Sequence, residues 1–323
     1  MELLSSFFFL IVSIIILFIG GWFIIQGSVI LARLSKINKA VIGFTIISLA
    51  TSLPELLISV KAALIKSNDF AIANVIGSNI CNIAFILGVS SFIHPLYAKK
   101  IERDLLPFFL LSTLLLFFII YNNQIIGFFE SLLILIILLI INFIVIYDKK
   151  NKYNQNDIKN NIIKIFKYKL NVNNKLKAFL IIISGGFFLH FGSSLLLQNA
   201  IEIAALMGVE QRVIAISFVA IGTSIPELAT TIIAISKKEF GLIIGNILGS
   251  NIFNILAILG FSGLITEIKI ENQSSIFIDS LFMLTISLLI IYSFNFSKNR
   301  GVGKFMGLTL LLSYISYMFI VFG

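Results

Sequence analysis

The sequence predicts an all-α polytopic membrane protein of about ten transmembrane helices, arranged as two inverted five-helix repeats. Three observations predict this: a very apolar composition, a duplicated segment, and a one-sided distribution of lysine and arginine. Of the 323 residues, 59% are hydrophobic and 12% charged, with a mean hydropathy of +1.06. Soluble domains run roughly 45–50% apolar and about 25% charged. Apolar runs long enough to cross about 30 Å of hydrocarbon recur from end to end. The opening MELLSS carries an acid where a cleaved leader would be basic, and the apolar run behind it is too long for such a leader.

Ten spans are expected, at about 6–31, 40–65, 70–94, 105–121, 125–147, 178–200, 212–236, 240–265, 275–295 and 305–322. The chain then divides into an N-terminal half, 1–147, a lysine-rich linker, 148–177, and a C-terminal half, 178–323. Within the linker, Ile162 to Phe166 is flanked by Lys164, Lys167 and Lys169. That stretch reads either as an amphipathic turn on the membrane surface or as plain solvated linker.

Lysine and arginine then orient the spans. With the N-terminus outside, twenty fall on inner loops and three on outer loops (Lys66, Arg212 and Lys269), while Lys61 lies inside the second span. Positive residues stay on the cytoplasmic side. Both termini are therefore expected outside, the 148–177 loop in the cytoplasm, and the protein in the plasma (inner) membrane. The net charge of +9 belongs to this orientation and not to nucleic-acid binding.

The duplicated segment is 41–88, which aligns without a gap on 213–260 at a shift of 172 residues, with twenty of forty-eight positions identical. Thr51-Ser52-x-Pro54-Glu55-Leu56 returns as Thr223-Ser224-x-Pro226-Glu227-Leu228, and Gly77-Ser78-Asn79-Ile80-x-Asn82 returns as Gly249-Ser250-Asn251-Ile252-x-Asn254. Span 2 runs inside to outside and span 7 the reverse, so the copies are inverted. Inverted repeats mark secondary transporters, whose sites lie near the midplane where the repeats meet.

On span 2 taken as a helix, Ser48, Thr51, Ser52, Glu55 and Ser59 share one face. Span 7 repeats the stripe with Ala220, Thr223, Ser224, Glu227 and Thr231, and spans 3 and 8 carry Asn74, Ser78, Asn82 and Asn246, Ser250, Asn254. A carboxylate at membrane depth costs about 2.5–3.5 kcal/mol on insertion scales and marks a functional site by default. Pro54 and Pro226 remove a backbone donor beside each acid, which frees the carbonyls of Ala50 and Gly222. All these donors are hard oxygens, suited to Ca²⁺ rather than Zn²⁺ or Cu²⁺. Two glutamates balance one Ca²⁺ or two monovalent ions, and Na⁺ and H⁺ both satisfy that count.

The paired T-S-x-P-E-L and G-S-N-I-x-N segments resemble the alpha-repeats of the Ca²⁺/cation antiporter superfamily, most closely the prokaryotic Na⁺/Ca²⁺ exchangers. The resemblance implies a diamond-like cluster of cation sites formed by Thr51, Ser52, Glu55, Ser78, Asn82, Thr223, Ser224, Glu227, Ser250 and Asn254. It adds backbone carbonyls near Ser48 and Ala220. Glu55 and Glu227 would be shared by Ca²⁺ and a monovalent ion, and spans 1 and 6 would slide to alternate access. Many relatives carry Asp where this chain has Asn254, which argues against K⁺ co-transport, and Ser48 stands where Ala is common.

The expected function is therefore Ca²⁺ extrusion in exchange for Na⁺ across the lipid bilayer, the ions being cargo and no resident cofactor being implied. H⁺/Ca²⁺ exchange is the alternative within this class. A passive cation channel fits the inverted halves poorly. An intramembrane hydrolase lacks a nucleophile, so the protein is not expected to be an enzyme. Single Cys81 excludes an intrachain disulfide. His94 and His190 lie in separate environments, and Glu130 and Asp279 are assigned to interfacial hydration near the outer ends of spans 5 and 9.

Overall fold

The structure is a computed structural model and describes residues 2–122, 125–150, 162–165, 168–207, 222–270, 273–297 and 300–322. It is a helical membrane protein. Among these residues seven helices are long and apolar enough to cross a membrane, and a bent pair makes an eighth. Two shorter apolar helices add to them, Ile225–Ser236 and Lys304–Phe319.

In chain order, α1 is Glu2–Ser35. The second span is built from α2 (Lys39–Ile42), a π-helical turn (Gly43–Ile47), α3 (Ser48–Thr51) and α4 (Leu53–Leu64). The third is α5 (Asn68–Ile80), a second π turn (Cys81–Ile86) and α6 (Leu87–Ile93). Then come α7 (Lys100–Arg103), α8 (Leu106–Tyr121), α9 (Phe128–Lys150) and α10 (Lys175–Leu206). The C-terminal half continues with α11 (Ile225–Ser236), α12 (Phe240–Phe253), a third π turn (Asn254–Ile258) and α13 (Leu259–Ile265). It closes with α14 (Gln273–Phe296) and α15 (Lys304–Phe322).

Local chemistry sets the boundaries. Asn38 and Asn174 cap α2 and α10 by accepting the N–H of Ala40 at 2.8 Å and of Leu176 at 2.9 Å. α4 and α11 end on the left-handed residues Lys66 and Lys238. In both, the next residue bonds back over the turn, Ser67 to the Ala62 carbonyl and Glu239 to the Ala234 carbonyl, each at 2.9 Å. At 34 and 32 residues, α1 and α10 overrun the expected 6–31 and 178–200. Hydropathy registers only the stretch that meets lipid, whereas a helix continues until its backbone finds a cap. Within residues 148–177 the backbone of β2 (Ile162–Ile165) pairs antiparallel with β3 (Tyr168–Asn171), so residues 162–165 of the stretch considered for an amphipathic turn are extended, and Phe166 lies outside the described residues.

The core is the pair of spans that carry the G-S-N-I segments. The 18-residue apolar window of the span Phe240–Ile265 is wholly buried and that of Asn68–Ile93 is 72% buried, against 28–33% for the spans holding α1, α9, α10 and α14. Burial at the centre requires close helix approach, which glycine permits. A Cβ at Gly245 would collide with the Ala40 carbonyl, and one at Gly249 with that of Phe44. Further out, α1 and α10 cross back to back at Gly20 and Gly185, where a Cβ on either would come within 2.8 Å of the other's carbonyl. Two short pairings tie the ends: β1 (Leu96–Tyr97) with β4 (Gly301–Val302), and the bridge Ile126↔Ile268.

Candidate cation site

Both acids sit in the first turn of a helix that begins at a break. Ser52 (φ −84°, ψ 3°) interrupts the second span, which bends there by 46°. Ser224 precedes α11 with nearly the same angles, φ −89° and ψ 7°. Pro54 and Pro226 occupy the first turn of the new helix, where a missing N–H costs nothing. Glu55 and Glu227 follow at the positive end of the helix dipole, which favours a carboxylate.

The repeats meet reciprocally. Thr51 Oγ1 lies 3.3 Å from Ser250 Oγ, and its counterpart Thr223 Oγ1 lies 3.3 Å from Ser78 Oγ. Ser52 Oγ donates to Glu227 Oε1 at 3.5 Å. These contacts are long for hydroxyl hydrogen bonds, which centre near 2.7–2.8 Å. Two oxygens each about 2.4 Å from a Ca²⁺ and roughly a right angle apart would stand about 3.4 Å from one another.

Glu55 and Glu227 are 0% and 1% exposed, yet both Glu55 oxygens and Glu227 Oε2 lack a hydrogen-bond partner. Buried and unpartnered with them are Ser224 Oγ and the side-chain amide atoms of Asn82 and Asn254. Each buried, unsatisfied polar group costs about 1–3 kcal/mol, more for a charge. A cation among these oxygens would remove that cost for many of them at once. The donor set therefore fits a hard cation. Among the described residues no three His, Cys, Asp or Glu side chains gather, so carboxylates alone do not define the site.

The remaining expected ligands divide. The Ser48 hydroxyl is consumed by its own helix, donating to the carbonyls of Phe44 and, at 3.2 Å, Thr45. The Ser48 carbonyl accepts the Ser52 N–H at 2.9 Å, so the carbonyls that lose a helix partner to proline are those of Ala50 and Gly222. Ala220, with residues 213–221 of the second repeat, lies outside the described residues. Asn246, on the same stripe but absent from the expected ligands, presents Oδ1 to Thr51 Oγ1 at 3.4 Å and leaves Nδ2 unpartnered. Its counterpart Asn74 instead donates to the Glu55 carbonyl at 3.3 Å and to Ser59 Oγ at 2.8 Å. The i, i+4 spacing of Asn246 with Ser250 was the available signal. Both Asn82 and Asn254 sit in π turns, which widen the helix and often occur at functional sites.

A cavity of about 410 Å³ adjoins this cluster between α4 and α10, lined among others by Pro54, Lys61, His190 and Thr223. His94 is exposed, with its ring 4.4 Å from that of Phe240. Glu130 caps the Gly127 N–H at 3.1 Å, and Asp279 accepts a hydrogen bond from Tyr317 at 3.0 Å, so hydration alone does not account for either acid.

The family model described as sodium/calcium exchanger protein matches residues 5–147 and 177–323. The chain is 30% identical over 318 residues to the protein named putative antiporter CaxA of Alkalimonas amylolytica, covering 97% of this chain and 98% of that one. It is 29% identical over 350 residues to the sodium/calcium exchanger MaX1 of Methanosarcina acetivorans, covering 98% of both. Among solved structures, the sodium-calcium exchanger NCX_Mj soaked with 10 mM Na⁺ and no Ca²⁺ superposes with a TM-score of 0.82, at 26% identity and 98% coverage of both chains.

Proposed function

Because the chain belongs to the sodium/calcium exchanger family, we propose that it extrudes Ca²⁺ in exchange for Na⁺ by alternating access. The observation that carries this reading is the buried, unpartnered cluster of oxygens that both repeats contribute around Glu55 and Glu227. Thr51, Ser52, Ser78, Asn82, Thr223, Ser224, Ser250 and Asn254 complete the ligand set, with carbonyls of the proline breaks near Ser48 and Ala220. Two carboxylates bind one Ca²⁺ or the monovalent ions that replace it. Neither form leaves the pair bare in the membrane, where an uncompensated charge is costly. That mutual exclusion couples the two fluxes.

The reading includes ten spans as two inverted halves, 1–147 and 178–323, joined through a cytoplasmic 148–177 linker, with both termini outside the inner membrane. Matched local features support the repetition of the two halves, and the one-sided distribution of lysine and arginine supports their opposite orientation. The left-handed ends Lys66 and Lys238, the breaks at Ser52 and Ser224, and the pairings at Leu96 and Ile268 each recur 172 residues apart. The glycine crossing of α1 and α10 supports a sliding pair, since its surface there is smooth backbone. In vesicles reconstituted with the protein, an outward Na⁺ gradient should drive Ca²⁺ uptake. Uptake that ignores Na⁺ and follows an imposed pH gradient would replace this reading with H⁺/Ca²⁺ exchange.

A further inference from the structure

The cavity between α4 and α10 is walled by a basic side chain where a route for cations would be expected to be neutral or acidic. Its floor is Pro54, next to Glu55, and Thr223, which meets Ser78 at 3.3 Å. Lys61 lies six residues past Glu55, about 9 Å along the helix at 1.5 Å per residue. His190 is the other basic group lining the cavity, and no Asp or Glu lines it among the described residues. Lys61 likewise has no ion-pair partner there. Unlike the ligands, this charge is not duplicated. The second-repeat counterpart is Ile233, which is buried and lies beside Gly21.

We infer that Lys61 is a valence filter at the outer mouth of the cation site, holding back Ca²⁺ more strongly than Na⁺. The inference rests on the exchange reading above. In a positive potential the local concentration of an ion falls exponentially with its charge. If Lys61 lowers Na⁺ at the mouth by a factor f, it lowers Ca²⁺ by f squared. One charge about 9 Å away, at an effective dielectric constant of roughly 45–80, corresponds to f of about 2–4. The residue would thus set the ratio of the two apparent affinities on the outer face without touching either bound ion.

The test uses Na⁺-loaded, right-side-out proteoliposomes at fixed pH, with choline holding ionic strength constant. The external Ca²⁺ KM is measured for the wild type, Lys61→Gln, Lys61→Met and Lys61→Arg, together with the external Na⁺ concentration that halves Ca²⁺ uptake when Ca²⁺ is held well below each protein's KM. Both neutral variants should lower the Ca²⁺ KM about 4–16-fold and the Na⁺ value about 2–4-fold, the first factor being the square of the second. The maximal rate should stay within about twofold, and Lys61→Arg should match the wild type. Equal shifts for both ions, no shift, or an Arg variant that behaves like Gln would each overturn the filter while leaving exchange intact. A wild type whose Ca²⁺ uptake is indifferent to internal Na⁺ would overturn the exchange reading, and the filter with it.

Discussion

The two repeats present matching chemistry on differently packed flanks. On one flank α11 is sealed against α1: a Cβ at Gly21 would lie 2.6 Å from Ile233 Cδ1 and 3.4 Å from the Ala229 carbonyl. On the other, α4 stands away from α10: a Cβ at Gly186 would meet nothing nearer than Ala50 Cβ, at 3.9 Å. The 410 Å³ cavity occupies that second flank. On the inverted arrangement proposed above, equivalent flanks would face opposite sides of the membrane, and one sealed and one open flank would correspond to a single access state. Sliding α1 and α10 together across the core would exchange the roles of the two flanks. The symmetry lies in the buried oxygen-bearing side chains and the asymmetry in what surrounds them.

That contrast can be broken at several points. The largest effect belongs to the acids. Glu55→Gln and Glu227→Gln should each lower Na⁺-dependent Ca²⁺ uptake by about two orders of magnitude, the loss of a charge-assisted contact of roughly 2–3 kcal/mol. Size-exclusion profiles of both variants should stay unchanged. The packing contrast comes next. Gly249→Ala sets a methyl against the Phe44 backbone and should cost about 1–3 kcal/mol of stability, whereas Gly186→Ala should stay within about 0.5 kcal/mol, both read from thermal melts.

Accessibility sharpens the comparison further. In a Cys81→Ala background, Ile58→Cys lines the cavity and, on the proposed orientation, should react with an impermeant thiol reagent added from outside. Its counterpart Thr230→Cys lies in the buried flank and should react at least about tenfold more slowly, the difference reflecting exposure of the thiol. The smallest effect is expected for Ser52→Ala. Removing one neutral hydroxyl that reaches Glu227 should raise the Ca²⁺ KM by about tenfold or less in the same uptake assay.

Much of this was legible before the structure because the repeat is chemical as well as hydrophobic. The two Pro-Glu pairs located both the helix breaks and the buried acids, and the i, i+4 stripes located Ser78, Ser250 and their asparagines. The π turns at Cys81–Ile86 and Asn254–Ile258 were not legible, since a widened turn has no compositional signature. Nor was the Ser48 hydroxyl's use by its own helix, because serine on a polar stripe can equally bond back to the preceding turn. The asymmetry of the flanks left no trace in the aligned ligands. It depends on how far α10 stands from α4, a distance that neither residue pattern encodes.

The most direct test of the shared site is Ca²⁺ binding to the purified protein by calorimetry, for the wild type, Glu55→Gln, Glu227→Gln and the double variant, with Na⁺ as competitor. Two acids on one ion predict that each single variant abolishes measurable Ca²⁺ binding and that Na⁺ displaces Ca²⁺ from the wild type. Either single variant retaining wild-type, Na⁺-sensitive Ca²⁺ affinity would contradict it.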